Sequence, residues 1–110
     1  MSAQVNGSNI SLTRGDSLIL TISIKKNGED YQPVPGDVIR FALKESISDN
    51  LMPLIMKNVD IDTMSLTINP EDTKSLEYGT YFYDLELTTT DGYVDTFIGP
   101  ARFKITEEVY

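Results

Sequence analysis

The stretch LEYGTYFYDLEL, from Leu76 to Leu87, decides the fold of this 110-residue chain. From Tyr81 to Leu87 every second residue is a large apolar or aromatic one, and the acidic residues Asp84 and Glu86 stand at alternate positions. Because successive side chains of a β-strand point to opposite faces, this pattern predicts a strand with one buried face. Leu76, Gly79 and Tyr81 also have the spacing of a tyrosine corner, in which the tyrosine hydroxyl bonds back to the main chain. The stretch therefore predicts a half-buried strand entered through such a corner.

Four other segments repeat this alternation, and each has the length of a single strand. The inward positions that it predicts are Leu18, Leu20, Ile22 and Ile24 in the first segment, Ile39, Phe41 and Leu43 in the second, Met64, Leu66 and Ile68 in the third, and Ala101, Phe103 and Ile105 in the last. Short half-buried strands separated by turns favour an all-β, antiparallel β-sandwich of about seven strands. The length predicts a single domain over residues 1–110.

Turn residues separate the predicted strands. Asn27-Gly28 follows the first alternating segment and Asp91-Gly92 follows the opening stretch. Both dipeptides accept the positive φ angles of tight hairpins. Gly99-Pro100 interrupts the last segment, which predicts a bulge or an edge crossover there. The one helical signal is Asn69, which can cap a short helix that has Pro70 at its first position.

The corner narrows the fold class. LEYGTYFYDLEL is similar to the start of the sixth strand of immunoglobulin-like sandwiches, where the corner tyrosine pins the crossover between two sheets. In disulfide-bonded members the second cysteine lies two residues after that tyrosine, and here the position holds Tyr83. The first cysteine would fall where Leu20 and Ile22 stand, and Phe41 takes the place of the buried tryptophan. We therefore expect an immunoglobulin-like sandwich whose core is filled without a disulfide.

The chain is acidic, with seventeen acidic residues, nine basic ones and a net charge of −8. An acidic surface repels phosphate, so we expect neither nucleic acid nor an anionic membrane as a partner, whereas a basic protein surface or a cation would suit it. The absence of cysteine and histidine excludes a disulfide framework, a thiolate nucleophile and the commonest metal ligand. No secretory signal and no membrane-spanning stretch is visible, so we expect folding in the cytoplasm.

Arg14-Gly15-Asp16-Ser17 spells the cell-adhesion motif that integrins bind. These residues stand where the first predicted strand, NISLT, passes into the second. A tight turn there needs the permissive φ of Gly15 and a side chain such as that of Asp16 to bond nearby amides. Integrin recognition would need an exposed, flexible loop, and a match of so few residues is weak. We interpret the motif as a structural turn.

Three pairs of acidic residues are the best candidates for chemistry: Asp60–Asp62, Glu71–Asp72 and Glu29–Asp30. Carboxylates at loop ends can bind Ca²⁺, which takes six to eight oxygens, but no twelve-residue calcium loop is present. Paired carboxylates also serve glycosidases, although one of them must then lie in a cleft with a raised pKa. Since acidic residues are the ordinary residues of solvated turns, we expect no metal and no catalytic residue here.

Tyr31, Tyr78, Tyr93 and Tyr110 are predicted to lie outside the core. Exposed aromatic rings stack on sugars and also serve protein interfaces. The chain has no tryptophan, so the set favours a protein interface over a sugar site. Tyr31, Tyr93 and Tyr110 are the candidate interface residues.

The whole chain resembles small proteins encoded by phages and prophages of Gram-positive bacteria. The resemblance rests on four segments, Ile10–Ile24, Gly36–Lys44, Ile68–Leu87 and Asp91–Val109, and so covers nearly the full length. The layout is also similar to the N-terminal sandwich of phage baseplate upper proteins, which attaches a fibre or receptor-binding part to the tail. Those proteins carry a further C-terminal portion, whereas this sequence stops at Tyr110. The resemblance implies strands and corners and supplies no catalytic residues.

Together these patterns predict a non-enzymatic structural or adaptor protein of a phage or prophage particle, in its tail or baseplate. Its partners would be other phage structural proteins or a second copy of itself, without a cofactor or a small-molecule substrate. It would be made in the bacterial cytoplasm and carried in the virion. The alternative is a stand-alone binding module for a cell-surface glycan or a host protein, with Tyr31, Tyr93 and the turn at Arg14–Ser17 as contacts. A hydrolase that uses an acid pair is the third hypothesis.

Overall fold

A computed structural model of the chain describes residues 4–6, 9–26, 29–46 and 52–107. These residues form ten strands and one short helix. The elements are β1 (Gln4–Asn6), β2 (Asn9–Thr13), β3 (Leu18–Thr21), β4 (Lys25–Lys26), β5 (Glu29–Asp30), β6 (Val38–Lys44), β7 (Ile55–Asn58), β8 (Ser65–Ile68), α1 (Pro70–Lys74), β9 (Gly79–Thr88) and β10 (Val94–Thr106). The chain is thus mostly β, as its alternation predicts.

Six strands form the large sheet, in the order β1-β2-β10-β9-β6-β7. Its pairings are antiparallel except that β10 runs parallel to β2, with Phe103 opposite Ile10. The prediction of a purely antiparallel architecture is therefore wrong, and the sheet is mixed. Because β3 and β8 lie in another sheet, the strands that are neighbours in the large sheet are not all consecutive along the chain. β2 therefore lies beside the distant strand β10, with which it runs parallel.

A small sheet pairs β3 with β8, and Leu18 lies opposite Ile68. Its buried residues belong to the same apolar core as those of the large sheet. The predicted inward positions of β6, β9 and the end of β10 are all buried. The inner face of the large sheet and the buried residues of the small sheet therefore contribute to one core.

The first alternating segment differs from its prediction. The strand expected over Leu18–Lys25 ends at Thr21, and Lys25 belongs to the short separate strand β4. Ile22 and Ile24 remain buried because the chain keeps its alternation after the ladder ends. The hairpin predicted at Asn27-Gly28 lies outside the described residues, although β4 and β5 on either side pair antiparallel.

At Gly99-Pro100 the register of β10 against β9 shifts, so this site is a bulge, one of the two predicted alternatives. β10 continues through it to Thr106. The turn at Asp91-Gly92 spans residues 89–93, because Thr88 pairs with Val94. The helix α1 begins at Pro70, and the N–H of Asn69 donates to Asp72 at 2.7 Å. No helix among the described residues is long and apolar enough to cross a membrane.

Candidate contact surface

The face of the large sheet that points away from the core is open. We call this surface the outer face. Its members alternate with the buried residues of their strands: Val38, Arg40, Ala42 and Lys44 on β6, Met56 on β7, Phe82, Asp84 and Glu86 on β9, and Arg102 and Lys104 on β10. All of them are exposed or half-buried, so no described element covers this face.

The outer face differs in charge from the rest of the chain. It carries four basic residues, Arg40, Lys44, Arg102 and Lys104, against two acidic ones, Asp84 and Glu86. Its net charge is +2 in a chain of −8, so the remaining residues carry −10. Arg40 pairs with Glu86 at 2.8 Å, but this exposed ion pair adds little stability. The outer face is therefore the part of this acidic protein best suited to a neutral or acidic partner.

A shallow pocket of about 130 Å³ opens near the middle of the outer face. It is lined by Ala42, Lys44, Ser46, Phe82, Tyr83, Asp84 and Pro100. The bulge in β10 forms one wall, because Gly99 passes directly over Asp84. A Cβ on Gly99 would overlap the Cβ of Asp84, and the φ of Gly99 is +129°, so a side chain is excluded here. The pocket thus depends on glycine at this position.

Asp84 is the unusual charge of this surface. Burial raises the pKa of its carboxyl group, and the neighbouring Glu86 raises the pKa further, while Lys44 and Arg40 oppose the shift. No described residue donates a hydrogen bond to this carboxylate. A half-buried carboxylate without a donor, beside the apolar side chains of Phe82 and Pro100, is a polar group that a partner can satisfy.

The predicted corner residues lie together at the start of β9. Tyr81 is 8% exposed and its hydroxyl donates to the carbonyl oxygen of Glu77 at 2.7 Å, which is the bond that the spacing predicts. Burial raises the pKa of this hydroxyl. Leu76 packs against the core, and Gly79 begins the strand. These residues hold the entry to β9 and face away from the outer face.

Phe41 and Tyr83 meet in the core at a ring-centroid distance of 5.3 Å. Phe103 packs edge-on against both rings, at 6.3 Å from Phe41 and 6.2 Å from Tyr83. Such tilted and edge-on arrangements are the favourable geometries for aromatic pairs. The positions expected to replace a disulfide and a tryptophan thus contact one another, together with Phe103, which the alternation also predicts to point inward.

The Arg14–Ser17 segment is a tight turn docked on the corner. The φ of Gly15 is +85°, and the N–H of Asp16 donates to the carbonyl oxygen of Thr13 at 3.0 Å. The N–H of Gly15 donates to the hydroxyl of the buried Thr73 at 2.8 Å. Glycine is needed here because of the positive φ.

The side chain of Arg14 is held by the same corner. Its guanidinium lies 4.3 Å from the ring centroid of Tyr78 and donates to the Tyr78 hydroxyl and to the carbonyl oxygen of Leu76. These contacts fit the interpretation of the motif as a structural turn, because its basic residue is bound within the fold.

The tyrosines predicted outside the core separate into groups. Tyr31 departs from the prediction: it packs against the core, and its hydroxyl donates to the buried Asp37 at 2.5 Å. Asp37 also accepts from the N–H groups of Val34 and Thr90. The bond from Tyr31, followed by that from Val34, lowers the pKa of the Asp37 carboxyl. Tyr31 is therefore part of a structural network that ties two loops together.

Tyr93 and Tyr78 are about half exposed, while Tyr110 lies outside the described residues. The N–H of Tyr93 lies within hydrogen-bond distance of the Thr89 side chain, which closes the loop between β9 and β10. The exposed ring of Tyr93 keeps it as a candidate contact, away from the pocket.

The predicted acidic pairs have roles within the fold. The Asp60 carboxylate accepts from the N–H of Asp62 at 2.9 Å, and Asp72 pairs with Lys57 at 2.6 Å as well as capping α1. Asp30 lies 3.3 Å from Lys25 in an exposed pair. Among the described residues, no group of three or more acidic side chains is placed to hold a metal ion.

Sequence reasoning missed the outer face. The signal was present, because Arg40, Lys44, Arg102 and Lys104 stand two or four residues apart at the outward positions of two strands. Alternation cannot reveal that β6, β9 and β10 are neighbours, which brings these charges onto one face of the sheet, with Arg40 and Lys44 near Asp84.

Compared with known proteins, the chain matches no family model, and no curated protein matches it significantly. The surface described above is therefore the basis on which a function is proposed.

Proposed function

We propose that the chain is an immunoglobulin-like sandwich that serves as a non-enzymatic structural or adaptor component of a phage or prophage particle, in its tail or baseplate. It acts by protein–protein contact through the outer face, with other structural proteins of the particle as partners. It is made in the bacterial cytoplasm and carried in the virion. The phage context rests on the sequence resemblance, and the mode of action rests on the outer face.

The strand order supports the immunoglobulin-like part of the proposal. β10, β9, β6 and β7 take the places of strands G, F, C and C′ of a variable-type domain, while β3 and β8 take those of B and E. The hydroxyl bond of Tyr81 lies at the crossover between β8 and β9, where such domains have their corner. The contact between Phe41 and Tyr83 supplies an aromatic core at the usual disulfide position.

The observation that carries the function is the charge reversal of the outer face. Proteins that act by contact need a patch that differs from the rest of their surface and that no element of their own covers. The outer face meets both conditions, with a net charge of +2 against −10 elsewhere and a pocket lined by residues of β6, β9 and the bulge. A positive face on an acidic chain also favours one orientation of docking, since the rest of the chain carries a net negative charge and repels an acidic partner.

Mass spectrometry of purified particles tests the proposal. Particles induced from the strain that encodes the chain would be separated into heads and tails, and the chain would be quantified in each fraction and in the cell-free remainder. We expect it in the tail fraction at a fixed ratio to the other tail proteins. A chain found only in the remainder would contradict the particle role, and retention on isolated cell walls would then support the binding-module alternative.

A further inference from the structure

The pocket of the outer face exists because the neighbours of Asp84 on both sides leave space beside it. In the ladder between β6 and β9, Asp84 stands opposite Ala42, whose side chain is a single methyl group. On the other side the register of β10 shifts between Ile98 and Ala101, so the bulge with the exposed Pro100 takes the place of a regular strand residue. A cavity of about 130 Å³ results. Since a water molecule occupies about 30 Å³ of the liquid, the cavity has room for a group of several atoms.

The Asp84 carboxylate is the polar group of this cavity that has no protein partner. Among the described residues, every fully enclosed side-chain nitrogen or oxygen has a hydrogen-bond partner. The carboxylate of Asp84 has none, so solvent reaches its oxygens from the pocket. Burial nevertheless raises the pKa of this group, because its charge is less well hydrated than in open water. Such an acceptor gains more from a well-placed donor than a fully hydrated one does.

Lys44 supplies a charge of the opposite sign at the same pocket. It stands opposite Phe82 on the neighbouring strand, so it is a diagonal neighbour of Asp84. Such residues lie about 7–8 Å apart, within reach of a long side chain. The ammonium group of Lys44 opposes the rise in the pKa of Asp84, but the ion pairs found among the described residues do not join the two groups. The pocket therefore offers one acceptor and one donor at separate points, and their charges cancel.

We propose that the pocket binds the carboxamide side chain of a glutamine residue of a partner protein. The amide N–H group donates to the Asp84 carboxylate, and the amide oxygen accepts from the Lys44 ammonium group. The methylene groups of the glutamine lie against the apolar side chains of Phe82 and Pro100, which also line the pocket. This inference deepens the proposed function by naming the anchor of the partner, and it rests on the view that the chain acts by contact through the outer face.

Other side chains fit this lining less well. A carboxylate would be repelled by Asp84. A guanidinium or ammonium group would be attracted by Asp84 but repelled by Lys44 and by Arg40, whose charge also acts on Asp84. An apolar side chain would take both charged groups out of water without giving either a hydrogen bond. A carboxamide carries a donor and an acceptor on one uncharged group, so it satisfies both.

A nuclear magnetic resonance titration of the isotope-labelled chain tests the proposal with three small probes. Butyramide, butyrate and propylguanidinium share a propyl group and differ in carrying a carboxamide, an anion and a cation. We expect butyramide to shift the main-chain amide signals of Ala42, Phe82 and Gly99, which lie in or beside the pocket. It should also bind more tightly than the other two probes.

Two substitutions separate the roles of the polar groups. Asp84→Ala keeps the Cβ atom that lies beside Gly99 and removes the acceptor, so it should weaken butyramide binding about tenfold. Lys44→Met removes the donor and keeps an unbranched side chain, so it should weaken butyramide binding and strengthen that of propylguanidinium. The matched control is Glu107→Ala, which removes the same charge as Asp84→Ala from an exposed residue after β10 and should leave butyramide binding unchanged. The amide spectrum of each variant shows whether it is folded.

Tighter binding of propylguanidinium than of butyramide would overturn the proposal and assign the pocket to an arginine of the partner. Equal butyramide binding by the wild type and by Asp84→Ala would also overturn it, as would the absence of any shift at the solubility limit of butyramide. These measurements use only the purified chain. Their failure would therefore remove the glutamine anchor without touching the particle role, whereas absence of the chain from phage tails would leave the preference of the pocket as measured.

Discussion

The two faces of β9 have opposite roles in this molecule. Its odd-numbered residues, from Tyr81 to Leu87, are buried in the core, where rings and aliphatic side chains pack together. Its even-numbered residues Phe82, Asp84 and Glu86 lie on the open side, among charges and beside a pocket. One strand thus supplies both the fold and the candidate contact surface, and alternation keeps the two apart.

This difference has an energetic meaning. Substitutions on the inner face remove packing from a closed core, so they lower the free energy of unfolding. Substitutions on the outer face act on groups that water already reaches, so they should change the free energy of unfolding little. Their main effect should be on binding to a partner protein. The following predictions measure how far this separation holds.

The largest effect is expected for Phe103→Ala. Phe103 is fully buried and packs against Phe41 and Tyr83, so its loss leaves a cavity and should cost about 3–5 kcal/mol in the free energy of unfolding. Phe82→Ala on the outer face is the control, and it should cost much less because Phe82 is only half-buried. Urea unfolding followed by fluorescence or circular dichroism gives both values. Equal losses of unfolding free energy for the two variants would contradict the distinction between the inner and outer faces.

Gly99→Ala should have the next largest effect. The new methyl group would overlap the Asp84 side chain at a φ of +129°, which should cost about 2–3 kcal/mol. Asp84→Gly in the same chain removes the overlapping Cβ and should recover part of the loss, whereas the strain from φ remains. Thermal unfolding of both single variants and the double variant measures this coupling. Strictly additive losses would mean that the bulge does not press on Asp84.

Tyr81→Phe tests the corner. It removes the hydroxyl that donates to the carbonyl oxygen of Glu77, and the loss of this part-buried bond should cost about 1 kcal/mol. Glu77→Ala keeps that carbonyl oxygen and should be close to neutral, so it serves as the control in the same urea titration. A neutral Tyr81→Phe would show that the hydroxyl bond does not stabilise the entry to β9.

Asp37 is buried and Asp84 is half-buried, and their contributions to the free energy of unfolding should change with pH in opposite directions. The pKa of Asp37 is lowered in the folded chain, so the ionised group stabilises the fold above its ordinary pKa of 3.8, and this stability is lost as the pH falls through the folded-state pKa. The pKa of Asp84 is raised, so its ionised form opposes folding at neutral pH, and the penalty disappears as the pH falls below the ordinary pKa of an aspartate.

Melting temperatures at pH 7 and pH 3 test this contrast. Asp37→Asn should lower the melting temperature at pH 7 and have a smaller effect at pH 3. Asp84→Asn should raise it at pH 7 and make little difference at pH 3. Effects of the same sign for both variants at pH 7 would contradict the assignment of Asp84 to an unsatisfied site.

Much of the inner face could be predicted from the sequence, because burial follows local alternation. Phe41, Tyr81 and Tyr83 lie inside as their positions in the pattern require. The parallel pairing of β2 with β10 could not be predicted, since it depends on which strands move to the second sheet. For the same reason the charges of β6 and β10 could not be placed on one face together with Asp84, which lies on the strand between them.

Local side-chain bonds were predictable only in part. The corner bond of Tyr81 joins residues four apart, so spacing was enough to predict it. The bond from Tyr31 to Asp37 also joins nearby residues, but it depends on the fold of a proline-rich loop and on Thr90 from a distant turn. Spacing alone therefore does not predict that Tyr31 packs against the core.

The most direct test of the central claim, that the outer face serves contact and not stability, is a matched charge reversal. Arg102→Glu with Lys104→Glu changes two exposed outer-face cations, and Lys25→Glu with Lys74→Glu makes the same change in net charge on other surfaces. Each pair would replace the wild type in the producing strain, and the chain would be quantified in purified tails alongside its unfolding free energy. Our account predicts that both pairs fold with stabilities within about 1 kcal/mol of the wild type, while only the outer-face pair is lost from the tails. Normal incorporation of the outer-face pair would contradict it.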